Sequence, residues 1–234
     1  MAVPQKTVLV VGANRGIGLT FIKTLKERGW STIGSVRPET RGDASVEELA
    51  ATGSRIVQID YKDEETIRKA AAELEDVKID MLINCAGIAV QPPPWQSHFK
   101  EDLMERFEVM TVGPFMAIKH FFPHILRDGG GKIVNISSSS ASIAGNDDER
   151  FVGYKMAKAA LNQLTVTLAN DFKKSGHPIG IVAFQPGYIK TKLTGYKGPI
   201  DINESVTGMV NLAETVTPEG SPYFLSWKGE TLPW

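Results

Sequence analysis

A chain of 234 residues is long enough to bury a sizeable core without disulfide or metal staples, and 42% hydrophobic with 23% charged residues excludes a mainly disordered, collagen-like or disulfide-rich protein. Its formal charge of -1, from 26 Lys plus Arg against 27 Asp plus Glu, supplies no general attraction to nucleic acid or to an anionic membrane, although one basic pocket is compatible with it. No apolar run approaches the roughly 20 residues that span a bilayer; one cysteine and an opening MAVPQKTVLVVGA without a basic n-region or cleavable apolar stretch give cytoplasmic as the expected location.

The first apolar, β-branched run, Thr7 to Val11, leads straight into Gly12-Ala13-Asn14-Arg15-Gly16-Ile17-Gly18, which opens a helix expected over Gly16 to Arg28. A glycine-rich turn between strand and helix lets backbone N–H groups approach a pyrophosphate, with the positive helix end behind them. A tight packing turn is the other reading of the same residues. The second run, Thr32 to Val36, ends where an NAD-selective site places an acid on the ribose, yet no Asp or Glu occurs from Trp30 to Pro38. Arg15 and Arg37 can instead clamp a 2′-phosphate, which favours NADP; otherwise they are two solvated surface arginines.

A short helix from Val46 to Ala51, a strand from Arg55 to Ile59 and a helix from Glu64 to Leu74 follow. The strand Met81 to Ile83 then runs into Asn84-Cys85-Ala86-Gly87, whose small residues let the chain pass close to a nucleoside, with Cys85 read as inert core filling. A long helix is expected from about Leu103 to Leu126, bent at Gly113-Pro114 because proline removes a backbone hydrogen bond. After the strand Lys132 to Ile136 comes Ser138, and then a helix from about Tyr154 to Lys174. Tyr154 and Lys158 share a face of that helix. An adjacent ammonium favours the phenolate and makes proton exchange with an alcohol or carbonyl feasible, while a serine hydroxyl holds the substrate oxygen. The last clear strand is Ile179 to Phe184, and beyond Pro186 the pattern loosens into an expected substrate flap at about 190–205. Alternating strands and helices give a single α/β domain over 1–234: a doubly wound parallel sheet in three α/β/α layers.

The glycine loop, Asn84-Cys85-Ala86-Gly87, Ser138, the Tyr154/Lys158 pair and Pro186-Gly187-Tyr188-Ile189-Lys190-Thr191 together resemble the short-chain dehydrogenase/reductase family across essentially the whole chain, which implies a Rossmann-type fold. By that resemblance Ser138 orients the substrate carbonyl, Tyr154 transfers the proton, and Lys158 binds the nicotinamide ribose and lowers the tyrosine pKa. The resemblance also makes Pro186, Gly187, Ile189 and Thr191 cofactor contacts, places Asp60 and Tyr61 beside the adenine, and suggests a homo-oligomer. Trp227-Lys228-Gly229 and Pro233-Trp234 resemble, more narrowly, the sniffer and C-factor subgroup of small carbonyl reductases.

Two departures stand out. Met110 replaces the asparagine that completes the family's catalytic tetrad, and the stretch from Ser139 to Phe151 is a few residues longer than usual, with Asp147, Asp148, Glu149 and Arg150. That stretch is either an altered substrate-side loop or a solvated charged tip. His120 and His124 have helix-face spacing without an evident third metal ligand, so no metal is expected. Trp95, Tyr188, Leu193 and Tyr196 are either substrate-pocket or packing residues. The expected activity is NADPH-dependent reduction of a carbonyl or imine-like group on an apolar small molecule. The alternatives are an alcohol dehydrogenase or epimerase, or an NADP(H)-binding regulatory or scaffold protein, which Met110 keeps open.

Overall fold

The computed structural model describes residues 5–88, 94–191 and 194–234. Seven parallel strands form one sheet: β1 Thr7–Val11, β2 Ser31–Val36, β3 Arg55–Gln58, β4 Met81–Asn84, β5 Gly131–Ile136, β6 Ile179–Gln185 and β7 Tyr223–Ser226, in the order β3-β2-β1-β4-β5-β6-β7. Successive strand residues face opposite sides, so one apolar run feeds two cores. Leu9 and Val11 pack with Ile118 and Phe121 on one face, Val8 and Val10 with Phe21 and Val210 on the other. Helices α1 Gly16–Glu27, α2 Ala44–Ala51 and α7 Ile202–Thr215 contribute to the second core. The first core takes residues from α3 Glu64–Glu73, α5 Gly113–Leu126 and α6 Val152–Ser175, and α4 Lys100–Phe107 lies against α6.

The six expected strands form with ends within a residue or two of their apolar runs. Two elements escaped the sequence reading. Helix α7 begins where Asp201 accepts hydrogen bonds from the N–H groups of Asn203 and Glu204, and it buries Val206, Met209, Val210 and Ala213 at helical spacing. It therefore takes residues 202–205 out of the expected flap. Strand β7 is only four residues long and pairs with β6.

The expected single helix is two helices, α4 and α5, joined by a π turn, Glu108–Val112, immediately before Gly113-Pro114. Pro114 then sits in the first turn of α5, directly after the π turn, and lacks the N–H that would bond back into it. Gly113 is required there, because a Cβ would run into the ring of Tyr61.

Candidate active site

The sheet order reverses between β1 and β4, and in open α/β sheets ligands bind outside the carboxyl ends of the strands at that point. Gly12 leaves β1 with φ of +85°, and a Cβ on it would lie 2.7 Å from the Cα of Ala86, so the two strand ends touch through backbone. The N–H of Gly12 donates to Ser35 Oγ (3.0 Å) and that of Ala13 to the Ser35 carbonyl (3.0 Å). Asn14 Nδ2 donates to Ser45 Oγ (2.8 Å), tying the glycine loop to α2. Exposed Arg15 is the N-cap of α1 without a side-chain capping bond, and among the described residues the first N–H groups of that helix, at Gly16, Ile17 and Gly18, meet no side-chain acceptor. Gly87 is exposed, with no described residue within 4 Å of where its Cβ would be. A backbone-walled turn with open helix donors fits a dinucleotide pyrophosphate. Arg37, just past β2, is also exposed and pairs with Glu39 (2.8 Å).

Asp60 holds the turn after β3, its carboxylate accepting from the Lys62 N–H (2.9 Å). Tyr61 is buried, and its hydroxyl donates to Asn84 Oδ1 (2.7 Å). Asn84 Nδ2 donates to Asn135 Oδ1 (2.8 Å), and Asn135 Nδ2 to Thr165 Oγ1 (2.9 Å). This buried chain of polar bonds fastens β4 and β5 to α6, and burial raises the Tyr61 phenol well above its usual pKa. Asn135 and Thr165, outside the sequence-read site, are found only through this packing. Burial pushes the Cys85 thiol up to about 12, in keeping with an inert residue.

Ser138 follows β5 as the N-cap of a short 3-10 turn, its Oγ accepting from the Ser140 N–H (3.1 Å), and it lies beside the Tyr154 phenol. Tyr154 lies in the first turn of α6. Lys158, one turn on, has its Nζ 5.9 Å from the Tyr154 ring centroid and donates to the Ile136 carbonyl (2.6 Å). Neighbouring Ser137 donates to Asn162 Oδ1 (2.6 Å), clamping the end of β5 to the same helix. Burial raises the Tyr154 phenol, with the Ser138 hydrogen bond pulling the other way, and burial lowers the Lys158 ammonium to about 8. Desolvation, and not the expected lowering by the lysine, sets the direction for the phenol here. A neutral phenol beside a serine hydroxyl is set up to donate a proton.

Met110 is buried in the π turn, which forms without an asparagine. The Thr111 hydroxyl donates to the carbonyl of Ala157 (2.8 Å), between Tyr154 and Lys158 on α6, and so holds the π turn against that helix. Thr111→Val should therefore cost about 1 kcal/mol, seen as a lower urea midpoint with unchanged slope; an unchanged midpoint would show that this bond holds nothing.

Past β6, the Ser205 hydroxyl donates to the Pro186 carbonyl (2.6 Å), and the ring of Trp227 lies beside Gly187. Ile189 is buried and bridges to Ile200, and the Thr191 N–H donates to Thr194 Oγ1 (3.1 Å), which brings the described residues 187–191 and 194–200 together at the carboxyl edge. Tyr188, Tyr196 and Trp95 are exposed, while Leu193 lies outside the described residues. His120 pairs with Glu64 (2.8 Å) and buried His124 packs on Phe121, and among the described residues no three His, Cys, Asp or Glu gather as metal ligands.

Comparison with known proteins agrees with this geometry. The family described as short chain dehydrogenase matches residues 6–201. A 1-hydroxy-2-glutathionyl-2-methyl-3-butene dehydrogenase of Rhodococcus sp. (strain AD45) is 28% identical, covering 98% of this chain and 100% of its own. Among solved structures, the carbonyl reductase Sniffer of D. melanogaster has a TM-score of 0.90 at 26% identity, and an NADPH-bound carbonyl reductase from chicken fatty liver 0.88 at 28%. Each covers 99% of this chain and 100% of its own.

Proposed function

The chain belongs to the short chain dehydrogenase family, and from that premise we propose that it is an NADPH-dependent reductase of a carbonyl or imine-like group on an apolar small molecule. The observation that carries the reading is the grouping of Ser138, Tyr154 and Lys158 at the end of β5 and the start of α6, with Lys158 Nζ 5.9 Å from the Tyr154 ring and bonded to the Ile136 carbonyl (2.6 Å). When bound, NADPH supplies the hydride. The chain's own groups do the rest. Ser138 donates a hydrogen bond to the substrate oxygen and Tyr154 delivers the proton to it. Gly12 to Gly18 seat the pyrophosphate; Ala86, Gly87 and the turn Pro186 to Thr191 flank the nicotinamide half; and Lys158 gives up its bond to Ile136 for the ribose hydroxyls.

The raised phenol pKa fits the proton-donating role, because Tyr154 holds its proton at neutral pH until the substrate oxygen takes it. Exposed Tyr188 and Tyr196 at the same carboxyl edge supply apolar surface for the substrate. The scaffold reading rested on Met110, and its motive weakens once the π turn forms with methionine in place. Location in the cytoplasm and a homodimer through α4 to α6, where Met104, Phe115 and Met156 are exposed, complete the proposal. No described helix is long and apolar enough to cross a membrane.

The decisive experiment incubates the purified protein with NADPH and a panel of aldehydes and ketones. NADPH consumption with at least one supports the reading, and binding without consumption across the panel overturns it. Cofactor choice has its own test. Arg37 would exchange Glu39 for the 2′-phosphate, and a guanidinium–phosphate contact contributes roughly 1.5–3 kcal/mol. Arg37→Asp is accordingly expected to raise the NADPH dissociation constant about 10- to 100-fold and leave that for NADH nearly unchanged; equal changes for both would remove Arg37 from the phosphate site.

A further inference from the structure

Ser138 and Tyr154 are the ends of one loop, so residues 139–151 border the place where the substrate oxygen would sit. That loop is gripped at two points. At the first, the Ala144 N–H (3.1 Å) and the Ser142 hydroxyl (3.4 Å) donate to the main-chain oxygen of Trp234, whose ring stacks on Phe224 of β7 at 5.2 Å. Beneath them Ala141, Ala183, Phe224 and Leu232 form a small core of their own.

At the second point, the Lys155 ammonium donates to Asn146 Oδ1, the Asp148 carbonyl (2.7 Å) and Asp148 Oδ1 (2.7 Å). All three of its N–H donors are used on this loop, and the side chain is only 16% exposed. A solvated charged tip needs no such grip, since exposed ion pairs contribute little. The Asp148 carboxylate also accepts from the Arg150 N–H (2.8 Å) and guanidinium (3.2 Å). The chain then enters α6 through Phe151 at φ of +62°, a left-handed conformation costly for an aromatic residue and sustained only where its surroundings impose it. The main-chain oxygen of Phe151 accepts from the Lys155 N–H (2.8 Å), so backbone and side chain of one lysine hold both limbs of the turn. With its carboxylate held at about 2 by Lys155 and Arg150, Asp148 stays charged across the physiological range, and the grip opens only under strong acid.

We propose that Lys155 is a positioning residue for the reaction: it clamps residues 146–148 onto the first turn of α6 and, together with the Trp234 anchor, fixes the substrate-side wall that decides which carbonyl compounds reach Tyr154. This rests on the reductase reading above.

The test compares Lys155→Met, Lys155→Arg and Asp148→Asn with the native protein, by hydrogen exchange without substrate and by kinetics over carbonyl compounds of graded size. Lys155→Met is expected to speed exchange in 142–151 at least about tenfold with the strands unchanged, and to shift KM for the larger carbonyls about tenfold while the NADPH dissociation constant stays within about twofold. Asp148→Asn, which keeps the fold's other contacts, should move both readouts in the same direction by less, and Lys155→Arg should restore part of each. Unchanged exchange, or faster exchange with KM unmoved across the series, overturns the clamp. A native protein that reduces nothing instead overturns the reductase reading and the clamp's role with it, so the two failures are told apart by which protein fails.

Discussion

Tyr154→Phe is expected to lower kcat/KM for carbonyl reduction by about 10²- to 10⁴-fold and to leave the NADPH dissociation constant within about twofold. The substitution removes one oxygen from a side chain held in the first turn of α6 and leaves the ring's packing in place. What is lost is the proton donor. Burial raises the phenol, so the native enzyme carries its acid protonated through neutral pH. The reduction rate should therefore hold across neutral pH and fall only on the alkaline side, where the phenol ionises. A variant retaining more than about a tenth of native turnover would refute the assignment.

Lys158→Met should have the second largest effect, with turnover down about 10²-fold, the KM for NADPH raised, and an altered pH dependence of stability. Burial lowers the ammonium to about 8 from an ordinary 10.5. Below pH 8 folded and unfolded chains both carry the proton, and the folded state bears the whole desolvation cost, about 3 kcal/mol. Between pH 8 and 10.5 only the unfolded chain holds the proton, so this group makes native stability rise with pH over that window. Methionine carries no charge to bury. Whatever the lost bond to the Ile136 carbonyl costs, the stability difference between variant and native protein should move by about 2–3 kcal/mol in the native protein's favour from pH 7 to pH 10. Urea unfolding at the two pH values measures it; a difference independent of pH would mean that Lys158 is not desolvated.

Much of the site was legible from the chain because its signals are local. Gly12 to Gly18 follow a β-branched run directly, and Tyr154 and Lys158 lie one helical turn apart. Helix α7 carries an equally regular signal in Asp201, Val206, Met209, Val210 and Ala213, but the glycine- and proline-containing stretch before it diluted the pattern. Strand β7 was out of reach for another reason: four residues lined up on β6 make no period of their own. The π turn before α5 was not legible, because it is held by the Tyr61 ring at Gly113 and by the Thr111 bond to Ala157 on a different helix.

The sequence by itself determined six strands, the glycine turn between β1 and α1, the one-turn spacing of Tyr154 and Lys158, and a near-zero net charge. Each of these follows from residue type and short-range backbone geometry. Only the tertiary structure decided that Gly12 meets Ala86, that Ser138 reaches the Tyr154 phenol, and that Lys155 closes on Asn146 and Asp148. It also reversed the expected electrostatics. A spacing of one helical turn predicts that an ammonium lowers a phenol, but the pKa of either group depends on how much water the rest of the chain removes from around it, and burial here drives Tyr154 up and Lys158 down.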